Sequence, residues 1–189
     1  MQYQPLNSLF IILVLVTVSA CTPNLSSRPI IDNKGSRTLG TIYNDQLIEI
    51  VAIDHSRRAL AMLQDANFNI TSFNGIVLLT GQIPSEDNKS LVANKTELVS
   101  NVRKVHNELT VSEPISLAAS SNDVLLTTRI TTRMWAEKNF PVSRIKVIVE
   151  NGVVYLMGMV TQTEADWSVN LTRRVSGIQR IVKVFEYIN

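Results

Sequence analysis

The sequence predicts an α/β (α+β) fold built from two tandem copies of one small unit, each ordered helix, strand, strand, helix, strand. Two observations carry this. "NGIVLLTGQI" (74–83) is repeated as "NGVVYLMGMV" (151–160) at an offset of 77, and "VSNVRKVHNEL" (99–109) as "VSGIQRIVKVF" (175–185) at an offset of 76. Segments recurring in one order at nearly constant separation mark an internal duplication. In addition, the apolar spacing changes within each copy from two residues to three or four and back, as expected when strands and helices alternate.

The elements follow in chain order. Leu9 to Ala20 is an unbroken run of apolar or small residues, too short for the roughly 20 that span a bilayer. Ending in Val18-Ser19-Ala20, it reads as the core of a signal peptide over 1–20, although the amino terminus is the only positive charge before it. The next residue, Cys21, is the single cysteine of the chain. Residues 21–46 read as a tether, broken by Pro23, Pro29, Gly35 and Gly40. A first unit is expected over 47–111, a linker over 112–121 around Pro114, and a second unit over 122–189.

Within the units, Asn74-Gly75 and Asn151-Gly152 suit two-residue hairpin turns, because both residue types tolerate positive φ. Extended runs precede these pairs ("NITSF" and "IKVIV"), and β-branched strands follow, expected to end at Gly81 and Gly158. Helices are expected over 47–63, 85–101, 123–137 and 163–176. Asn101 and Gly177 suit left-handed positions at helix ends, and "VHNELTV" and "IVKVFEYI" close the two units as strands.

Composition narrows the function. Without residues 1–20 no cysteine remains for an internal disulfide, so apolar cores must supply the stability. A net charge of +2 is too small to point to nucleic acid, and the surplus is uneven: nine Lys/Arg against six Asp/Glu over 122–189, but six against seven over 47–111. The two histidines, His55 and His106, have no cysteine or acidic partner at metal spacing, so no metal site and no cofactor are expected. Neither a Gly-x-Ser-x-Gly elbow nor a phosphate-cradling glycine loop is present, so an enzyme is not expected.

One segment stands out, "DVLLTTRITTRMWAEK" (123–138). Leu126, Ile130 and Met134 share a stripe suited to a core. Leu125, Thr128, Arg129, Thr132 and Trp135 lie on another side of the same helix and are expected to face outward. Flanked by Arg129 and Arg133, the exposed Leu and Trp suit an anionic lipid interface, where Trp favours the headgroup level and each basic side chain contributes about 1 kcal/mol. A packing role serves equally well: Trp135 tucked under the loop 139–143 and Leu125 against the first unit.

The strand pair "NG-V-x-L-x-G-x-V" and the junction "V-x-G-I-x-x-I" resemble the BON domain, a small α/β module of bacterial envelope proteins, although Asn101 stands where the family usually has Gly. Val18-Ser19-Ala20-Cys21 resembles the lipobox of bacterial lipoproteins, whose cysteine carries the lipid anchor, and Thr22 in place of Asp favours the outer membrane. Two such modules behind a lipobox, with "SRTLGT" before the first and "SNDVLLTTRI" opening the second, are similar to the dual-BON outer-membrane lipoproteins of the DolP (YraP) family. That resemblance implies a small mixed three-stranded sheet covered by two helices in each module. It implies an outer-membrane protein lipidated at Cys21, facing the periplasm, that supports outer-membrane integrity and is enriched at the division site. It further implies binding of anionic phospholipid, notably phosphatidylglycerol, by the first helix of the second module through Leu125, Thr128, Arg129, Ile130, Thr132, Met134 and Trp135. The alternative is an adaptor that docks the same face on a partner such as the outer-membrane protein assembly machinery.

Overall fold

Asn74-Gly75 and Asn151-Gly152 make the turns their residue types favour, with φ of 53° and 73° in the first and 48° and 73° in the second. Each turn joins an antiparallel hairpin: β1 (Asn67–Phe73) with β2 (Ile76–Ile83), and β5 (Ile145–Glu150) with β6 (Val153–Val160). The third strand of each unit runs parallel to the second, which requires a crossover, and a helix supplies it. In the first unit α2 (Glu86–Glu97) leads to β3 (Lys104–Asn107) and β4 (Thr110–Val111); in the second α4 (Gln162–Arg173) leads to β7 (Arg180–Tyr187). Each unit opens with a long helix, α1 (Leu39–Ala59) and α3 (Leu117–Ala136). The computed structural model describes residues 35–60, 66–114 and 116–189. The expected signal peptide, Cys21 and most of the tether lie outside the described residues.

The strand after the hairpin turn of each unit is buried on both faces. Val77, Leu79 and Ile83 of β2 point to a core closed by Ile48 and Ala52 of α1 and Val92 of α2. Val154 and Leu156 of β6 point to Leu126, Ile130 and Met134 of α3 and Val169 and Leu171 of α4. The alternate residues meet in a third core, where Phe73 and Leu78 of one sheet pack against Tyr155, Met157 and Val184 of the other. The order of layers is therefore helices, sheet, sheet, helices. Polar contacts rim the sheet interface: Arg103 donates to both carboxylate oxygens of Glu186 at 2.7 and 2.8 Å, Asn74 donates to Glu186 at 2.7 Å, and Gln82 donates to Glu150 at 2.8 Å. All three cores lie within Lys34–Asn189, so this unit holds everything it needs to fold on its own.

Four expectations change. The first helix begins at Leu39, eight residues before the expected start, because the Thr38 hydroxyl caps it by accepting from the Thr41 amide at 3.1 Å. Residues 39–46 are therefore helix and not tether. Likewise 117–121 belong to α3 and not to the linker, since Ser116 caps that helix by accepting from the Ala119 amide at 3.3 Å. Gly81 and Gly158 lie inside their strands, where the neighbouring strand comes closest: a Cβ would run into the carbonyl oxygen of Asn67 or Arg144 respectively. The strand expected over 105–111 is interrupted at Glu108-Leu109, where the Asn107 side chain accepts from the Leu109 amide at 3.3 Å and Leu109 turns into the core.

Both opening helices are fixed by one device, an aspartate inserted into the hairpin turn. Asp45 of α1 accepts from the amides of Asn74 and Gly75, both at 2.9 Å, from the Ser72 hydroxyl at 2.7 Å and from Arg37 at 2.8 Å. Asp123 of α3 accepts from the amides of Asn151 at 2.6 Å and Gly152 at 2.8 Å. Burial alone would raise the Asp45 carboxyl, but the hydrogen bonds from Gly75, Ser72, Arg37 and Asn74 outweigh it and hold the group below its ordinary value.

Candidate functional site

With Asp123 locked onto the hairpin, the rotation of α3 is set. Leu126, Ile130 and Met134 point into the core between α3, α4 and the second sheet. Leu125, Thr128, Arg129, Thr132 and Trp135 are exposed, and Val124 joins them as a further exposed apolar residue. Trp135 is 69% exposed. It does not tuck under the loop 139–143; Phe140 of that loop instead meets Trp167 edge-on, with ring centroids 5.2 Å apart.

The outward face of α3 carries Val124, Leu125 and Trp135 as exposed apolar residues. The same face borders a groove of about 630 Å³ between α3 and the end of α4, lined by Thr128, Arg129, Thr132, Arg133, Ala136 and Glu137 from α3 and by Arg174, Val175 and Ser176 beyond α4. None of the three arginines has a salt-bridge partner among the described residues. Three free guanidinium groups with hydroxyls around them suit an anion, and guanidinium geometry suits a phosphate in particular. No group of three His, Cys, Asp or Glu able to hold a metal ion occurs among the described residues.

The structure brings five of the seven expected lipid-binding residues to the surface: Leu125, Thr128, Arg129, Thr132 and Trp135. The other two, Ile130 and Met134, are corrected. Both are buried beneath the helix and have no surface to offer a ligand. Their spacing of four from Leu126 already placed them on the core stripe, and the family position carried them into the site against it. Arg174 reads from sequence only as part of a solvated basic face that could assist, and Ser176 was not expected at the site; both are more than 40 residues from Arg129 along the chain, and only the packing of α3 on α4 brings them to one groove. No helix among the described residues is long and apolar enough to cross a membrane.

The BON domain family matches this chain twice, over 55–113 and 122–189. The chain belongs to the BON-domain family. It is also 36% identical over 153 residues to the outer membrane lipoprotein DolP of Haemophilus influenzae, covering 81% of this chain and 79% of that one, which places it with the DolP outer-membrane lipoproteins. A 21 kDa hemolysin of Actinobacillus pleuropneumoniae is 29% identical over 152 residues, covering 80% of this chain and 78% of its own. Among solved structures, the C-terminal domain of CdsD, a type III secretion structural protein of Chlamydia trachomatis, covers 72% of this chain and 97% of its own, at 12% identity and a TM-score of 0.31. So low a score says nothing about shared function. In this BON protein the two family matches coincide with the two helix-and-sheet units, except that α1 starts well before the first match.

Proposed function

We propose that this BON protein is a non-catalytic outer-membrane lipoprotein, anchored through an acylated Cys21 with its domains facing the periplasm, whose second module docks on anionic phospholipid through α3. The observation that carries the reading is the pairing, on one helix face, of exposed Trp135, Leu125 and Val124 with a groove that collects Arg129, Arg133 and Arg174. The apolar side chains suit the acyl boundary, Trp135 the headgroup level, and the groove a headgroup phosphodiester. At about 1 kcal/mol for each basic side chain near an anionic surface, the three arginines favour phosphatidylglycerol over a zwitterionic lipid. Acylation at Cys21 supplies the permanent attachment, and α3 adds lipid choice. The reading extends to support of outer-membrane integrity, with enrichment at the division site, as the family resemblance implies.

The test is an NMR titration of the Lys34–Asn189 unit with phosphatidylglycerol and phosphatidylethanolamine vesicles, alongside Trp135→Glu and Arg174→Glu. The reading expects phosphatidylglycerol to perturb 124–136 and 174–176, phosphatidylethanolamine to leave them unmoved, and both variants to weaken the response. If neither lipid moves these residues, lipid docking is wrong and the α3 face becomes a protein-docking surface, as an adaptor for the outer-membrane protein assembly machinery requires.

A further inference from the structure

The first helix of the first module carries its apolar period on the wrong side. Its buried positions are Asp45, Ile48, Ala52 and Ser56, two of them polar. Leu39, Ile42, Tyr43, Leu47 and Ile50 are all exposed. At 100° per residue they center roughly 150° round the helix from the buried stripe, so they face directly away from the sheet. With Leu39 85%, Ile50 64% and Tyr43 61% exposed, the stripe presents roughly 500 Å² of largely apolar surface, near the top of the range of about 300–600 Å² for the largest patch on an ordinary monomer.

We propose that this stripe is a self-association face, on which α1 of one copy pairs antiparallel with α1 of a second copy. Three observations select that occupant. The stripe is nearly symmetric end to end: in an antiparallel pair Leu39 meets Ile50 and Tyr43 meets Leu47, which is the self-complementarity a twofold interface demands. It brings no like charges together. From Leu39 to Ser56 there is no Lys or Arg, Asp45 is buried and bonded, Glu49 is paired with Lys146 at 3.1 Å, and Asp54 is paired with Arg58 at 3.0 Å. Finally, two stripes brought together bury at most roughly 1,000 Å², below the roughly 1,200 Å² at which stable specific interfaces begin, so the pair is weak and reversible.

A membrane fits this face poorly. It has none of the basic side chains that line the α3 groove, and the layer order puts α1 on the outer face of the first sheet and α3 on the outer face of the second.

Sedimentation equilibrium of the Lys34–Asn189 unit tests this, over concentrations from about 5 μM to about 500 μM, the range in which so small an interface forms. The weight-average mass is expected to rise toward twice the monomer and stop there. Tyr43→Glu and Leu47→Lys, both at exposed positions, are each expected to remain monomeric with an unchanged unfolding midpoint, whereas their equimolar mixture regains the dimer because the two charges face each other across the pair. A wild-type mass that stays at the monomer overturns the proposal, as does one that climbs past the dimer or one that Tyr43→Glu leaves unchanged. Binding to phosphatidylglycerol vesicles separates the remaining occupant: a loss of binding in Tyr43→Glu with no self-association in the parent makes the stripe a lipid face and overturns the proposal.

Discussion

Asp45→Ala tests the device that seats α1 on its hairpin. Two of the groups Asp45 serves, the Gly75 amide and the Ser72 hydroxyl, are buried and lose this acceptor together. An unsatisfied buried donor costs about 1–3 kcal/mol. The Asn74 amide and Arg37 are only partly buried and regain solvent, adding a few tenths each. The expected loss is therefore about 3–5 kcal/mol, a large fraction of the roughly 5–15 kcal/mol that holds a domain together. Asp123→Ala strands only one buried amide, that of Gly152, and is expected to cost about 2 kcal/mol. Urea unfolding of the Lys34–Asn189 unit, followed by circular dichroism at pH 7, gives both values. The acid limb adds a second reading. Because the folded carboxyl of Asp45 lies below its unfolded value, its stabilisation is present in full above about pH 4 and fades as pH falls through the folded value. The gap between parent and Asp45→Asn must narrow over that window. An Asp45→Ala loss under about 1 kcal/mol, or a larger loss in Asp123→Ala, refutes the account.

Ile130→Ala and Met134→Ala should each cost about 2–5 kcal/mol in urea unfolding, whereas Trp135→Ala should stay within about 0.5 kcal/mol. That contrast separates core from surface on α3, and only Trp135→Ala should weaken vesicle binding without a stability cost. The Arg103 and Glu186 pair bridges the modules from a half-exposed position, so a double-mutant cycle should return no more than about 1 kcal/mol, shrinking with added salt. The hydrogen bond from Arg103 depresses the Glu186 carboxyl, so this contribution is held at neutral pH and lost as pH falls through the folded Glu186 value. Ser56 has a buried hydroxyl without a hydrogen-bond partner among the described residues, so Ser56→Ala should raise stability by about 1 kcal/mol, read as an upward shift of the urea midpoint.

The hairpins and crossovers were legible because their signals are local. Asn-Gly tolerates the positive φ of the turn wherever it stands, and β-branched alternation reports a pleated strand whatever packs on it. Helix starts were less legible. The core face of α1 contains Asp45 and Ser56, and the apolar period that does reach back to Leu39 lies on the outward side, interleaved with Gly40, Thr41 and Asn44, so the segment before Leu47 reads as tether. Serines 116, 120 and 121 read as linker, yet Ser116 acts as a helix cap, a role the same residue type fills equally well.

For the candidate site, the sequence alone determined that one helix of the second module carries an apolar and basic face beside a core stripe, because that depends only on the helical period. Which residues share the groove was decided by tertiary structure: Arg174 and Ser176 reach Arg129 only when α4 crosses back against α3. The same holds for the union of the two modules. Leu78 and Tyr155 each lie on the second face of a strand, and nothing local in the sequence says what covers that face. Sheet-on-sheet packing is a contact between distant segments, set by the shape and apolar area of two finished surfaces, and the repeat that made each unit readable is silent about how the units meet.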